Sequence, residues 1–227
     1  MKRMLPLLLS LFLVTTLQAQ EQKIVYPLEN AEGLVPHLVD IAPVTFKGKK
    51  GIRVVDTAVE NPTERKLAIL EGLSFHNGII EMEVAGEPGK KASETARGFV
   101  GIAFRVDSNA SHFECFYLRP TNGRANDQVR RNHSLQYISY PDHPWHALRD
   151  AFPEKYESYA DLEPATWTKV KIEVINDTAR LYLHGASQPS LIVNDLKLGS
   201  ANRGRIGLWI GPGTEAHFRY LTVTKKD

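Results

Sequence analysis

Apolar and polar residues alternate with a period of two through most of this chain, and that alternation restricts the fold more than any other feature. Within residues 78–84, Ile80, Met82 and Val84 share one face while Glu81 and Glu83 share the other. Val100, Ile102, Phe104 and Val106 alternate with Gly101, Ala103 and Arg105. The same pattern runs through 169–174, 179–184 and 205–210. Period two is the mark of strands that set one face on a core. Shorter apolar runs at 24–26, 51–55 and 66–70 supply further strands. Turn signals separate the runs, among them His76-Asn77-Gly78, Glu87-Pro88-Gly89 and Gly211-Pro212-Gly213. Asn176-Asp177, between two alternating stretches, predicts a hairpin. No stretch sustains a helical period, and 145–150 is the best short helix. Many short strands with regular turns predict an all-β sandwich or barrel rather than βαβ units.

One segment breaks the pattern. Residues 120–166 hold many polar and aromatic side chains, with one strand-like stretch at 134–140. An insertion of this length is more often functional than a plain connector.

The other end of the chain fixes the expected compartment. Lys2 and Arg3 precede an apolar stretch from Leu5 to Leu17, and Ala19 stands before Gln20. This is the pattern of a cleavable secretory signal peptide over 1–19. A bilayer span needs about 20 apolar residues, so no membrane-spanning segment is expected. The expected product is a single domain over 20–227 in a periplasm or the outside medium. The 28 basic and 26 acidic residues give a formal charge of +2. Both excess charges leave with the leader, so residues 20–227 are neutral overall. A neutral domain lacks the basic excess of a dedicated nucleic-acid binder. With Cys115 as its single cysteine, the chain has no intrachain disulfide, no Cys-based zinc site and no lipid-bearing cysteine beside Ala19.

The richest side-chain chemistry lies between Arg105 and Trp209. If Phe116 and Leu118 face the core, then Cys115, Tyr117 and Arg119 face the other side of their sheet. Alternation sends Ala103 and Arg105, and later Gly207 and Trp209, to that same side. Flat rings and guanidinium forks on one face suit a sugar, whose C–H faces stack and whose hydroxyls bridge the forks. Residues 119–134 add Asn122, Arg124, Arg130 and Arg131, giving four Arg against one Asp. The alternative is a purely structural network, with Arg119 and Asp127 paired to pin the insertion. The candidate sugar contacts are therefore Arg105, Tyr117, Arg119 and Trp209, with Asn122, Arg124, Arg131 and Tyr137 from the insertion. His143 and His146 are spaced i, i+3, but no third ligand with metal-site spacing accompanies them.

The strand pair at 98–105 and 113–120, the strand at 167–172, the Leu181-Tyr182-Leu183-His184-Gly185 hairpin and the ending Gly204 to Gly211 with Phe218 together resemble a concanavalin A-like lectin/glucanase domain. They look closest to its laminin-G-like and 3-keto-disaccharide hydrolase branches in exported bacterial proteins. The resemblance implies an antiparallel two-sheet jelly-roll β-sandwich that binds sugar on its concave face, with Arg105, Tyr117, Arg119 and Trp209 on the concave-face strands. It implies a carbohydrate ligand and leaves open glycoside hydrolysis. In the hydrolase reading, Glu114 or Asp127 is the acid/base, and Arg105 and Arg119 hold the sugar and stabilise developing charge. Laminarinase-type glycosidases carry E-x-D-x-x-E on one strand; Glu81, Glu83 and Glu87 depart from that pattern. No carboxylate set for the Ca²⁺ of laminin-G-like lectins stands out, so no cofactor is assigned. The alternative function is a non-catalytic protein-interaction or structural sandwich.

Overall fold

The computed structural model describes residues 22–57, 63–90, 92–94 and 96–226; the leader at 1–19 lies outside them. Among the described residues, two antiparallel sheets stack as a β-sandwich and do not close into a barrel. The eight-stranded sheet runs β13 (Leu191–Val193), β12 (Thr178–Leu183), β11 (Thr168–Ile175), β6 (Gly78–Pro88), β15 (Thr214–Lys225), β4 (Lys49–Asp56) and β3 (Val39–Phe46), and β1 (Gln22–Tyr26) pairs with β15. The seven-stranded sheet runs β10 (Glu157–Ser158), β9 (Leu135–Tyr140), β8 (Phe113–Leu118), β7 (Val100–Val106), β14 (Arg205–Ile210), β5 (Leu67–Leu70) and β2 (Leu34–His37).

The alternation decides which side chains lie between the sheets. Ile80, Met82 and Val84 of β6, Ile102 and Phe104 of β7, and Phe116 and Leu118 of β8 belong to one buried cluster. Leu208 and Ile210 of β14 and Phe218 of β15 join it. Fully burying a side chain of this size stabilises by about 1.5–3 kcal/mol. The hairpin at Asn176-Asp177 forms between β11 and β12, with Ile175 paired to Thr178. Asn176 takes a left-handed backbone (φ +56), which its short polar side chain tolerates.

Three places depart from the sequence reading. The turn expected at 87–89 begins two residues later, because β6 continues to Pro88, which pairs with Thr214. Pro88 has no N–H to donate, and the last bond across to the β15 side comes from Gly89 N to Gly213 O (2.8 Å). The other two are bulges. In β7 the register against β14 shifts near Arg105, whose φ is +54. In β15 it shifts between Arg219 and Thr222, with Tyr220 at φ +53. A bulge adds one residue and reverses the alternation beyond it. Val106 therefore takes the outward position that strict alternation gives to Arg105.

The outer face of the seven-stranded sheet is itself covered. Leu67, Ile69, Ala103, Cys115, Tyr117, Ile138 and Trp209 form a second buried cluster there. The insertion at 120–166 contains β9, β10, the expected helix as α2 (Trp145–Ala151) and a further helix, α1 (Gln128–Asn132). Gly123 seats the insertion against the stretch that leads out of it. A Cβ at Gly123 would lie 2.4 Å from Leu162 N and 2.6 Å from its O. Both are backbone atoms and cannot swing away. Gly123→Ala is expected to cost about 1–3 kcal/mol of unfolding free energy, as overpacking does. Urea unfolding tests this, and an unchanged midpoint would show that 160–163 can move aside.

Candidate functional site

The predicted residues fall into three groups, on two faces of one sheet and along the insertion. Arg105, Glu114 and Tyr137 do not share a face with Tyr117. They lie on the inter-sheet side, at one end of the sandwich. The bulge at Arg105 corrects the expectation that its guanidinium joins Tyr117 and Trp209. Its Nη1 donates to Gly199 O (2.8 Å), and its Nη2 donates to His76 O (3.2 Å) and Asn176 O (2.6 Å). This clamps three loops together. Glu114 accepts from the Tyr137 hydroxyl and from Leu198 N (2.8 Å), while Tyr137 Oη accepts from Lys197 N (2.9 Å). Burial raises the Glu114 carboxyl above its ordinary range, against the hydrogen bonds that favour its charged form. Beyond the Glu114–Tyr137 bond and a Ser139 hydrogen bond to Glu114, the bonds of this trio go to residues 197–199 and to the loop carbonyls of His76 and Asn176.

Asn122, Arg124, Asp127 and Arg131 hold the insertion together. Asn122 Nδ2 donates to His133 O (3.1 Å). Arg124 grips Asp161 with two bonds (2.7 and 3.0 Å) and also contacts Glu163. Asp127 is exposed and caps α1 by accepting from Arg130 N (3.1 Å). Arg131 donates to the Tyr159 hydroxyl (2.8 Å) and lies over its ring. The structural pairing expected between Arg119 and Asp127 goes instead to Glu157.

The third group is the candidate site. Tyr117 of β8 and Trp209 of β14 pack together, tilted by 30°, on the outer face of the seven-stranded sheet, centroids 4.7 Å apart. Arg119, just beyond β8, reaches back across that face. Its Nη1 donates to His133 O (2.9 Å) and Glu157 Oε1 (3.1 Å). Its Nη2 donates to Tyr117 Oη (2.9 Å) and Gln136 Oε1 (2.9 Å). Tyr117, Arg119 and Trp209 are all buried. Two partly exposed rings flank them, Phe99 at 5.5 Å and Trp145 at 5.9 Å from the Arg119 guanidinium. These distances are within cation–π range.

Two carboxylates complete the group, and their surroundings push them in opposite directions. Glu157 is drawn upward by burial, but the Arg149 hydrogen bond and the charges of Arg119, Arg149 and His133 outweigh it and hold it below the ordinary range. Glu64 has no such partners. Burial pushes its carboxyl up to about 7, against a weaker opposing pull from Arg119. Its Oε2 is buried without a hydrogen bond. The Glu64 backbone is pinned by its carbonyl, which accepts from Trp209 Nε1 (2.6 Å). Neighbouring Arg65 donates to Asn109 O and Ala110 O. A cleft of about 210 Å³ opens beside the cluster, lined by His133, Glu157, Ser158 and Tyr159 together with Asn132 and Glu154. Among the described residues no group of three His, Cys, Asp or Glu is placed to hold a metal ion.

The sequence reading missed Glu64, Phe99, Trp145, Arg149 and Glu157 as members. Phe99 and Trp145 carried a usable signal as aromatics at the edges of a strand and a helix. Glu64 sits in an aperiodic stretch and carried none.

No family model matches the chain, and no curated protein matches it in sequence. Solved structures do match in fold. A carbohydrate binding module, CBM66 from Bacillus subtilis, superposes with a TM-score of 0.58 at 12% identity, covering 84% of this chain and 95% of that one. The Crh5 transglycosylase in complex with NAG gives 0.51 at 10% identity, covering 90% and 84%. A Bacillus subtilis protein of unknown function with a galectin-like fold gives 0.50 at 9% identity, covering 91% and 100%. The chain has the concanavalin A-like lectin/glucanase fold. At these identities the likeness is one of fold alone.

Proposed function

We propose that this protein is an exported carbohydrate-binding domain that holds a saccharide at Phe99, Trp145 and Glu64, above the buried Tyr117–Arg119–Trp209 floor. One observation carries the reading. Two partly exposed rings flank a guanidinium that makes four hydrogen bonds, beside a carboxyl oxygen that is buried without a partner. Sugar rings stack on aromatic faces, and a sugar hydroxyl can satisfy an orphan carboxyl oxygen. The basic, apolar leader at 1–19 supports export. The carbohydrate-binding module among the fold's neighbours supports the ligand class.

A saccharide panel scored by calorimetry tests the reading. Trp145→Ala is expected to weaken the best ligand by about tenfold, the weight of one aromatic contact of about 1.4 kcal/mol, with the melting temperature little changed. No response to any saccharide, or an unchanged affinity in Trp145→Ala, would sink it and favour a protein-interaction module.

The contrast between Glu64 and Glu157 favours one second reading, glycosidic-bond cleavage. A carboxyl that titrates near neutrality can donate its proton to a leaving glycosidic oxygen, while water adds at the anomeric carbon and the proton it releases restores the carboxyl. In that reading Glu64 takes the acid role assigned from sequence to Glu114 or Asp127. Product release by the wild type, lost in Glu64→Gln with binding kept, would support cleavage. Binding without product release leaves a lectin.

A further inference from the structure

A groove of about 440 Å³ lies on the outer face of the eight-stranded sheet, on the other side of the sandwich from the site above. Its volume falls in the range of small-ligand sites, about 300–1,000 Å³. The register builds its floor. Lys171 of β11 lies opposite Tyr182 of β12 and Glu81 of β6, and Glu81 lies opposite Thr222 of β15. Lys171 Nζ sits 3.9 Å over the Tyr182 ring and donates to Glu173 (2.8 Å). Tyr182 Oη donates to the same carboxylate (2.8 Å). The floor is therefore fixed before any ligand arrives.

The walls are not neutralised. Lys169 lies opposite Glu83, but Glu83 is taken by Lys49 (2.9 Å) and Arg219 (2.8 Å). Among the described residues neither Lys169 nor Lys23, on β1, has a carboxylate at ion-pair distance, and both line the groove. Tyr220 lines it as well. This tyrosine occupies the β15 bulge at φ +53, a left-handed backbone that disfavours a bulky side chain, and it is 54% exposed. Core packing does not account for an exposed aromatic held in a backbone that glycine would adopt more easily.

We propose that this groove is a second binding site, for a saccharide that carries a carboxylate. The sugar ring stacks on Tyr220 and the carboxylate meets Lys169, with Lys23 at the far corner of the groove. The site does not depend on the one at Phe99 and Trp145.

Residues 20–227 titrated with trigalacturonate, and separately with neutral galactotriose, provide the test. Trigalacturonate is expected to bind, and to weaken several-fold as salt rises from about 20 to about 300 mM, since exposed ion contacts are screened. Galactotriose is expected to bind this groove more weakly. Tyr220→Gly is expected to lose about tenfold in affinity while melting no lower than the wild type, because glycine relieves the backbone. Lys169→Glu is expected to lose affinity on a surface where folding is not at stake. Trp145→Ala is expected to leave trigalacturonate binding unchanged. No saturable binding of trigalacturonate, equal binding of galactotriose, or binding lost with Trp145→Ala and kept in Tyr220→Gly and Lys169→Glu would overturn the proposal.

Discussion

Arg119→Ala is expected to lower the unfolding free energy by about 3–5 kcal/mol, the cost of removing one partner from a buried ion pair. The expectation rests on what the guanidinium leaves behind. Glu157 keeps Arg149 but loses a charge 3.1 Å away. Gln136 Oε1 and the Tyr117 hydroxyl lose their donor in a region closed to water. Each such orphaned group adds about 1–3 kcal/mol of desolvation that is no longer offset. Arg119→Lys does not rescue the loss, because one ammonium cannot span four acceptors in the planar fork geometry. Thermal unfolding checks this, with an expected fall of about 10 °C for a domain of this size. A fall below about 1 kcal/mol would show that water replaces the guanidinium and that the network is weaker than its geometry. The same variant separates floor from contact surface. Because Arg119 is buried and already makes four hydrogen bonds within the protein, its loss acts on a saccharide by misplacing Phe99 and Trp145.

Glu64→Gln is expected to stabilise the protein above neutral pH. An ordinary Glu titrates near 4.3, whereas burial holds Glu64 at about 7 in the folded chain. Between those two values the unfolded chain gives up its proton while the folded chain keeps it. Stability therefore falls as pH rises from about 4.5 to about 7 and levels off above that. The total is about 3 kcal/mol, at about 1.4 kcal/mol per pH unit of displacement. Gln cannot ionise, so the variant loses this slope and gains up to that amount at pH 8. Denaturant unfolding at pH 5 and pH 8 reads both quantities. Parallel pH profiles for wild type and variant would show that Glu64 is solvated and that the site lacks its distinguishing group. A carboxyl kept at a cost to stability fits the pattern in which functional groups are retained against the fold's preference.

Alternation made much of the sandwich legible. It placed Phe116 and Leu118 between the sheets and Tyr117 and Trp209 outside, and the structure agrees. It failed where period two fails physically. The bulge at Arg105 inserts one residue, so a side chain assigned to the ligand face clamps loops at the sandwich end. Helix α1 went unseen because all five of its residues lack a buried side chain and leave no apolar stripe. Glu64 lies in a connection with no period at all. Glu157 was hidden for another reason. Its partners Arg119, His133 and Arg149 are separated from it by 8 to 38 positions, and only the fold brings them together.

Strand β8 carries a consequence for folding specificity. Both of its faces are buried, with Cys115 and Tyr117 on one and Phe116 and Leu118 on the other. Hydrophobicity alone therefore barely distinguishes the native alignment from one slipped by a single residue, since either places apolar groups on both sides. The charged groups at its two ends break that near-degeneracy. Glu114 finds Tyr137 and Leu198 only toward the partner sheet, and Arg119 finds Glu157 and Gln136 only on the opposite side. A slip would strand both polar side chains among hydrocarbon. These two residues act as alignment keys, choosing one pairing among several that the apolar residues would accept.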